Sequence, residues 1–81
     1  MEIYEKKIMK GKINMNLIKL KPGQTIPWHK HKDNKYNYVV KGSMTDGQRT
    51  WKKEDLILNK KGTSHSLKAG KNGCEFLVIW G

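Results

Sequence analysis

Cysteine, proline, acidic side chains and long apolar runs are all scarce in this 81-residue chain. The single cysteine, Cys74, excludes an internal disulfide and a cysteine-based zinc framework. Two prolines, Pro22 and Pro27, make no proline-rich linker, and no repeat or low-complexity segment divides the sequence. The longest apolar run, Phe76 to Trp80, falls far short of the ~20 residues of a membrane-spanning helix. The opening Met1-Glu2-Ile3-Tyr4-Glu5 lacks the apolar core of a secretion signal. A cytoplasmic protein without membrane association is therefore expected, folded as one domain over residues 1–81. A core of this size is marginal, so a bound metal or dimerisation is expected to support it.

Seven acidic residues face 17 basic ones, for a net charge of +10. Such an excess is one signature of nucleic-acid binding. Its distribution argues otherwise, because the lysines spread from Lys6 to Lys71 and their densest groups are pairs such as Lys52-Lys53 and Lys60-Lys61. Arg49 is the only arginine, whereas bidentate recognition of phosphates and bases favours arginine. Nucleic acid is not the expected partner.

Also missing is a sustained 3.6-residue apolar period. Ile13, Met15 and Leu17 alternate with asparagines, which reads as a half-buried strand, and the phase change to Ile18 and Leu20 suggests a bulge or burial on both faces. Further strand-like runs are Thr25 to Lys30, Tyr36 to Lys41, Asp55 to Asn59 and Glu75 to Trp80. Pro22-Gly23, Lys41-Gly42, Asp46-Gly47, Lys61-Gly62 and Asn72-Gly73 read as turns between strands. About eight short strands at 8–12-residue spacing predict an all-β sandwich or barrel.

What the chain does have is a patterned set of histidines. His29 and His31 stand at i, i+2, which points both rings to one face of a strand, and His65 follows a second apolar run. Three neutral imidazoles suit zinc, iron, nickel or copper and leave coordination positions open for water or substrate. With no carboxylate ligand, such a site keeps the ion's full charge and attracts anionic or enolate-like molecules.

The spacing Gly23-x5-His29-x-His31-x3-Lys35-x6-Gly42 resembles the first motif of the cupin superfamily, G-x5-H-x-H-x3-E-x6-G. The second motif, G-x5-P-x-G-x2-H-x3-N, is met in part by Gly62-x2-His65, with Glu54, Lys60 and Ala69 in place of its first Gly, its Pro and its Asn. Gly42-Ser43-Met44-Thr45-Asp46-Gly47, Gly62-Thr63-Ser64-His65-Ser66 and Asn72-Gly73-Cys74 are similar to the cupin domain of ChrR-type anti-sigma factors and to acetylacetone dioxygenase-like cupins. The resemblance implies a small single-domain cupin β-barrel, a jelly-roll-like double-stranded β-helix. It implies one divalent transition metal on His29, His31 and His65, zinc or iron first, with nickel, manganese and copper as alternatives. These 81 residues contain no stretch resembling the separate zinc-binding domain by which those anti-sigma factors hold their sigma factor, so an anti-sigma role is not expected.

Lys35 departs from the family, where a glutamate is commonly the fourth ligand; a protonated amine cannot ligate. Either Lys35 reaches outward to the barrel mouth, leaving a three-histidine site, or it points inward and turns the cavity into an anion pocket. Asn37, on the face of Lys35, is a candidate substrate contact, and Glu75 a candidate substitute carboxylate. Val39, Tyr38, Trp28, Phe76 and Leu77 are the expected pocket wall, and Cys74 is read as a buried small hydrophobe. Two functions remain open: a metal-dependent, dioxygenase-type enzyme acting on a small molecule, and a non-catalytic metal or ligand sensor. A third reading, a basic barrel binding single-stranded nucleic acid, makes the histidine spacing a coincidence. A homodimer is expected, pairing through the strands around Ile3 to Ile8.

Overall fold

The computed structural model describes residues 2–81. Among them no helix forms, and seven strands follow one another: β1 (Tyr4–Met9), β2 (Asn14–Leu20), β3 (Thr25–Lys30), β4 (Lys35–Thr45), β5 (Thr50–Lys52), β6 (Leu56–Asn59) and β7 (Ser64–Trp80). All pairings are antiparallel. The all-β reading holds, with two of its turns corrected. Lys41-Gly42 lies inside the 11-residue β4, and Asn72-Gly73 inside the 17-residue β7.

The reason is a close approach of two backbones. Gly42 and Gly73 have φ of 79° and 76°. A Cβ on Gly42 would collide with the carbonyl oxygen of Gly73, and one on Gly73 would lie 2.6 Å from that of Leu20. Only glycine combines this conformation with this proximity. The β4–β7 register shifts there, from Gly42↔Cys74 to Met44↔Ala69. Both strands bend at the shift and pass from one half of the fold to the other.

Two layers result. In the first, β1, β2, the C-terminal part of β7, the N-terminal part of β4 and β6 lie side by side. In the second, β3 pairs with the N-terminal part of β7, and the C-terminal part of β4 pairs with both that segment and β5. The core of Leu20, Val39, Met44, Ile57, Leu67, Ala69, Cys74 and Phe76 draws on both layers, with Ile18, Ile26, Trp51 and Val78 packed against it. Eight buried apolar residues make a small core, in keeping with the size of the chain.

The apparent phase change in β2 is burial on both faces. Asn14 to Leu20 pair with Trp80 to Cys74 without a break. Asn16 and Ile18 face the interior, while Met15 and Leu17 sit half-buried on the outside. Alternation in β7 likewise sends Phe76, Val78 and Trp80 inward and Leu77 and Ile79 outward.

Candidate metal centre and its cavity

The histidines are placed by the β3–β7 pair and the turn that precedes β7. His29 is the register partner of His65, so two of the rings are cross-strand neighbours. Just beyond β3, the His31 N–H donates to the Thr63 carbonyl at 2.9 Å, and the Gly62 N–H donates to the His31 carbonyl at 2.9 Å. The Thr63 hydroxyl donates to the Lys60 carbonyl at 2.6 Å and closes the turn. All three rings are thus tied to a hydrogen-bonded backbone.

A bulge decides which way they point. Ile26 pairs with Leu67 and His29 with His65, a shift of one residue around Pro27 and Trp28. Proline has no N–H to give to a ladder, so a bulge is where it fits. Simple alternation from the inward Ile26 would bring Trp28 inside and send His29 out. The extra residue reverses this, and Trp28 is 72% exposed while His29 and His31 reach the cavity.

The rings form a cluster of mutually edge-on planes. Centroids are 5.0 Å apart for His29–His31, 4.8 Å for His29–His65 and 4.4 Å for His31–His65, with interplanar angles of 83°, 83° and 80°. One ligating nitrogen from each ring lies within 4.8 Å of the others. Metal–imidazole bonds of about 2.0–2.1 Å bring ligating nitrogens to roughly 3–3.5 Å of one another. Nε2 of His31 and Nδ1 of His65, 3.5 Å apart, already meet that requirement, and small ring rotations close the rest.

The donor chemistry also fits. Nδ1 of His29 lies 2.9 Å from the Pro27 carbonyl, which can only accept, so Nδ1 carries the proton and Nε2 keeps its lone pair for a metal. Burial, then the proximity of His31 and His29, pushes His65 down to about 4, with Asp46 opposing. His31 is lowered by burial, then by His29 and Lys35. Both rings are therefore neutral near pH 7, the form that binds metal ions.

A cavity of about 370 Å³ opens beside the cluster, within the range of small-molecule sites. His29 and His31 line it, and His65 stands behind in ring contact with both. The apolar wall is Ile18, Ile26, Leu67, Phe76, Val78 and Trp80. Lys35 and Asn37 line it as well, the lysine with its ammonium 4.8 Å from the Trp80 ring centroid. Of the anticipated wall, Phe76 is present; Trp28, Tyr38, Val39 and Leu77 are not part of the lining. Tyr38 follows its strand's alternation to the outer face. Glu75 lines a second cavity with Cys74 on the far side of the first layer, where it meets Lys19 at 3.8 Å. The structure thus brings together His29, His31, His65, Lys35 and Asn37, and leaves Tyr38 and Glu75 apart.

Asn59, Asn16, Glu5 and Asp33 also line the cavity and were not singled out by the sequence. For Asn59 a signal existed. Alternation in Leu56-Ile57-Leu58-Asn59 buries Ile57 and Asn59 and exposes the two leucines, against the apolar expectation for the inner face. Cys74 sits in the core, its thiol pushed up to about 11 by burial and by Glu75, which makes it an unreactive small hydrophobe.

The sequence profile of the ChrR cupin-like domain matches residues 10–81. The chain belongs to that cupin family. No curated protein matches it. Among solved structures, this cupin is similar to Rhodobacter sphaeroides ChrR in complex with SigE, at 18% identity and a TM-score of 0.88, covering 98% of this chain but 45% of that one. KdgF from Halomonas sp. is 19% identical with a TM-score of 0.85, over 95% of this cupin and 76% of KdgF. The polyketide cyclase RemF of Streptomyces resistomycificus is 22% identical with a TM-score of 0.83, over 96% of this cupin and 63% of RemF. At these identities the likeness establishes the fold: an all-β cupin with three histidines positioned to bind a metal ion.

Proposed function

We propose that this cupin holds one divalent transition metal ion on His29, His31 and His65 and receives a small molecule in the adjoining cavity for dioxygenase-type chemistry. The observation that carries this reading is the convergence of three imidazole nitrogens within 4.8 Å at the wall of a cavity. When bound there, an ion such as iron supplies Lewis acidity and redox capacity. The chain's own part is positional. The Pro27 carbonyl holds the His29 tautomer, and the strand pair fixes the rings. Ile18, Leu67, Phe76 and Val78 give the ligand a largely dry wall.

The test begins with metal content. Untagged protein reconstituted anaerobically with ferrous ion, and separately with zinc, is expected to retain one ion per chain, and the triple His29/His31/His65→Ala variant none. Failure of the wild type to retain stoichiometric metal would falsify the reading. Oxygen uptake by the iron-loaded protein across diketones, thiols and catechols then separates enzyme from sensor. A non-catalytic binding module is the second reading, and one observation favours it: the position of the family's carboxylate ligand carries Lys35, with its ammonium over the Trp80 ring.

We also infer that two copies pair through the outer face of the first layer. Two rows of side chains cross it in register: Met9, Met15, Ile79, Tyr36 and Leu58, then Lys6 at the β1 edge, Leu17, Leu77, Tyr38 and Leu56. Leu56 is 60% and Leu58 47% exposed. Five strands about 4.8 Å apart make this patch roughly 20 Å across. The next row, Tyr4, Lys19, Glu75 and Lys41, is mostly charged and forms a rim. An apolar patch with a polar rim is the anatomy of an interface, and a two-fold axis lets one face meet its own copy.

A further inference from the structure

We propose that Lys35, with the side-chain amides of Asn37 and Asn59, forms an anion-recognition edge beside the histidine cluster, and that the ligand is a small molecule bearing a carboxylate remote from its metal-binding end. This deepens the function proposed above and rests on it. Lys35 and Asn59 are register partners across β4 and β6, and Asn37 is the next inward residue of β4. All three line the cavity.

Two observations point to a ligand there. Asn37 and Asn59 are only 4% and 5% exposed, yet among the described residues neither side chain has a hydrogen-bond partner. Their polar atoms stay open to the cavity, since Asn16 Oδ1 is the one buried polar side-chain atom without a partner among the described residues, so both amides are free to bond a ligand there. The second observation is charge. Lys35 forms no ion pair among the described residues, and its recorded partner is the face of Trp80 at 4.8 Å. Of the two carboxylates lining the cavity, Glu5 accepts a hydrogen bond from Asn16 Nδ2 at 2.7 Å, and Asp33 lies on an exposed loop between Lys32 and Lys35. A divalent ion on three neutral imidazoles would bring two further positive charges beside Lys35 with no acidic ligand to balance them. A neutral ligand would leave that field uncompensated, whereas a carboxylate near Lys35 offsets it and accepts from ammonium and amides together.

The experiment compares malate with 2-hydroxybutanoate. Both offer an α-hydroxy acid to the metal, and only malate carries the second carboxylate. In calorimetric titrations of metal-loaded protein, the wild type is expected to prefer malate by about tenfold, the scale of a hydrogen bond to a charged group. Lys35→Met is expected to lose the preference, read within each variant as the ratio of its two affinities, and Lys35→Arg to keep it. Equal preference in wild type and Lys35→Met overturns the proposal. Succinate titrated into metal-free protein, followed by tryptophan fluorescence, separates the two readings. Lys35-dependent succinate binding in a protein that retains no metal supports the anion edge while the metal centre fails. Metal retention with a malate preference indifferent to Lys35 does the reverse.

Discussion

His31 and His65 join proximity and burial to a pH dependence. The folded protein holds both rings below the ordinary imidazole value of 6.5, His65 down to about 4. Between those values the unfolded chain binds more protons than the folded one, so stability rises with pH. The metal-free protein is expected to have its full stability above pH 6.5 and to lose it as pH falls toward 4. Urea midpoints at pH 7.5, 6 and 4.5 measure this, and His65→Gln should flatten the profile; a midpoint level across that range contradicts it. Glu54 makes a separate statement at the same scale. It occupies the position of the second motif's first glycine and adopts a left-handed φ of 76°, while its N–H donates to the Val39 carbonyl at 2.8 Å. The backbone has kept the glycine's conformation without the glycine. Glu54→Gly is expected to stabilise the fold by roughly 0.5–1 kcal/mol by chemical denaturation, since a side chain there costs about 1–2 kcal/mol and glycine returns part of that as chain entropy.

At the scale of strands, the histidine spacing and the shared face of Lys35 and Asn37 were legible because period-two alternation survives wherever pairing is regular. It failed at two places for physical reasons. In β3 the bulge at Pro27–Trp28 changes parity, so Trp28 could not be assigned to the correct face by counting from Ile26. In β4 and β7 the glycines that read as hairpin turns serve a strand-to-strand contact between residues 31 positions apart, which no local rule detects. Gly42→Ala is expected to lower stability by about 2 kcal/mol or more, from strain at its φ of 79° and the collision with Gly73. Gly11→Ala is the control, because nothing lies within 4 Å of its added Cβ. A thermal melt placing the two variants together would show that β4 and β7 need not touch at this point.

For the whole molecule, the barrel was legible from short alternating runs and the cupin motif. The side of the proposed dimer contact was not. β1, the expected pairing strand, is exposed along its whole length and contributes Met9 to one corner of the outer patch. The larger apolar share belongs to β4, β6 and β7, where Tyr36, Leu56 and Leu58 are 43%, 60% and 47% exposed. Sequence could not assign these residues to a partner because a strand apolar on both faces reads the same whether its second face meets the chain's own core or another copy. Sedimentation velocity at micromolar concentration is expected to show a dimer, and Leu58→Glu a monomer that still retains metal. A monomeric wild type would remove this interface.

The single extra residue at Pro27–Trp28 works like a frameshift. Downstream of it the odd-numbered positions face the ligand, upstream the even-numbered ones, so the centre depends on a count as much as on the identity of its side chains. Straightening the bulge without deleting a residue would leave all three histidines in the chain, but would turn His29 to solvent and carry the Trp28 indole into the cavity in its place. A change that alters no ligand would then abolish the centre.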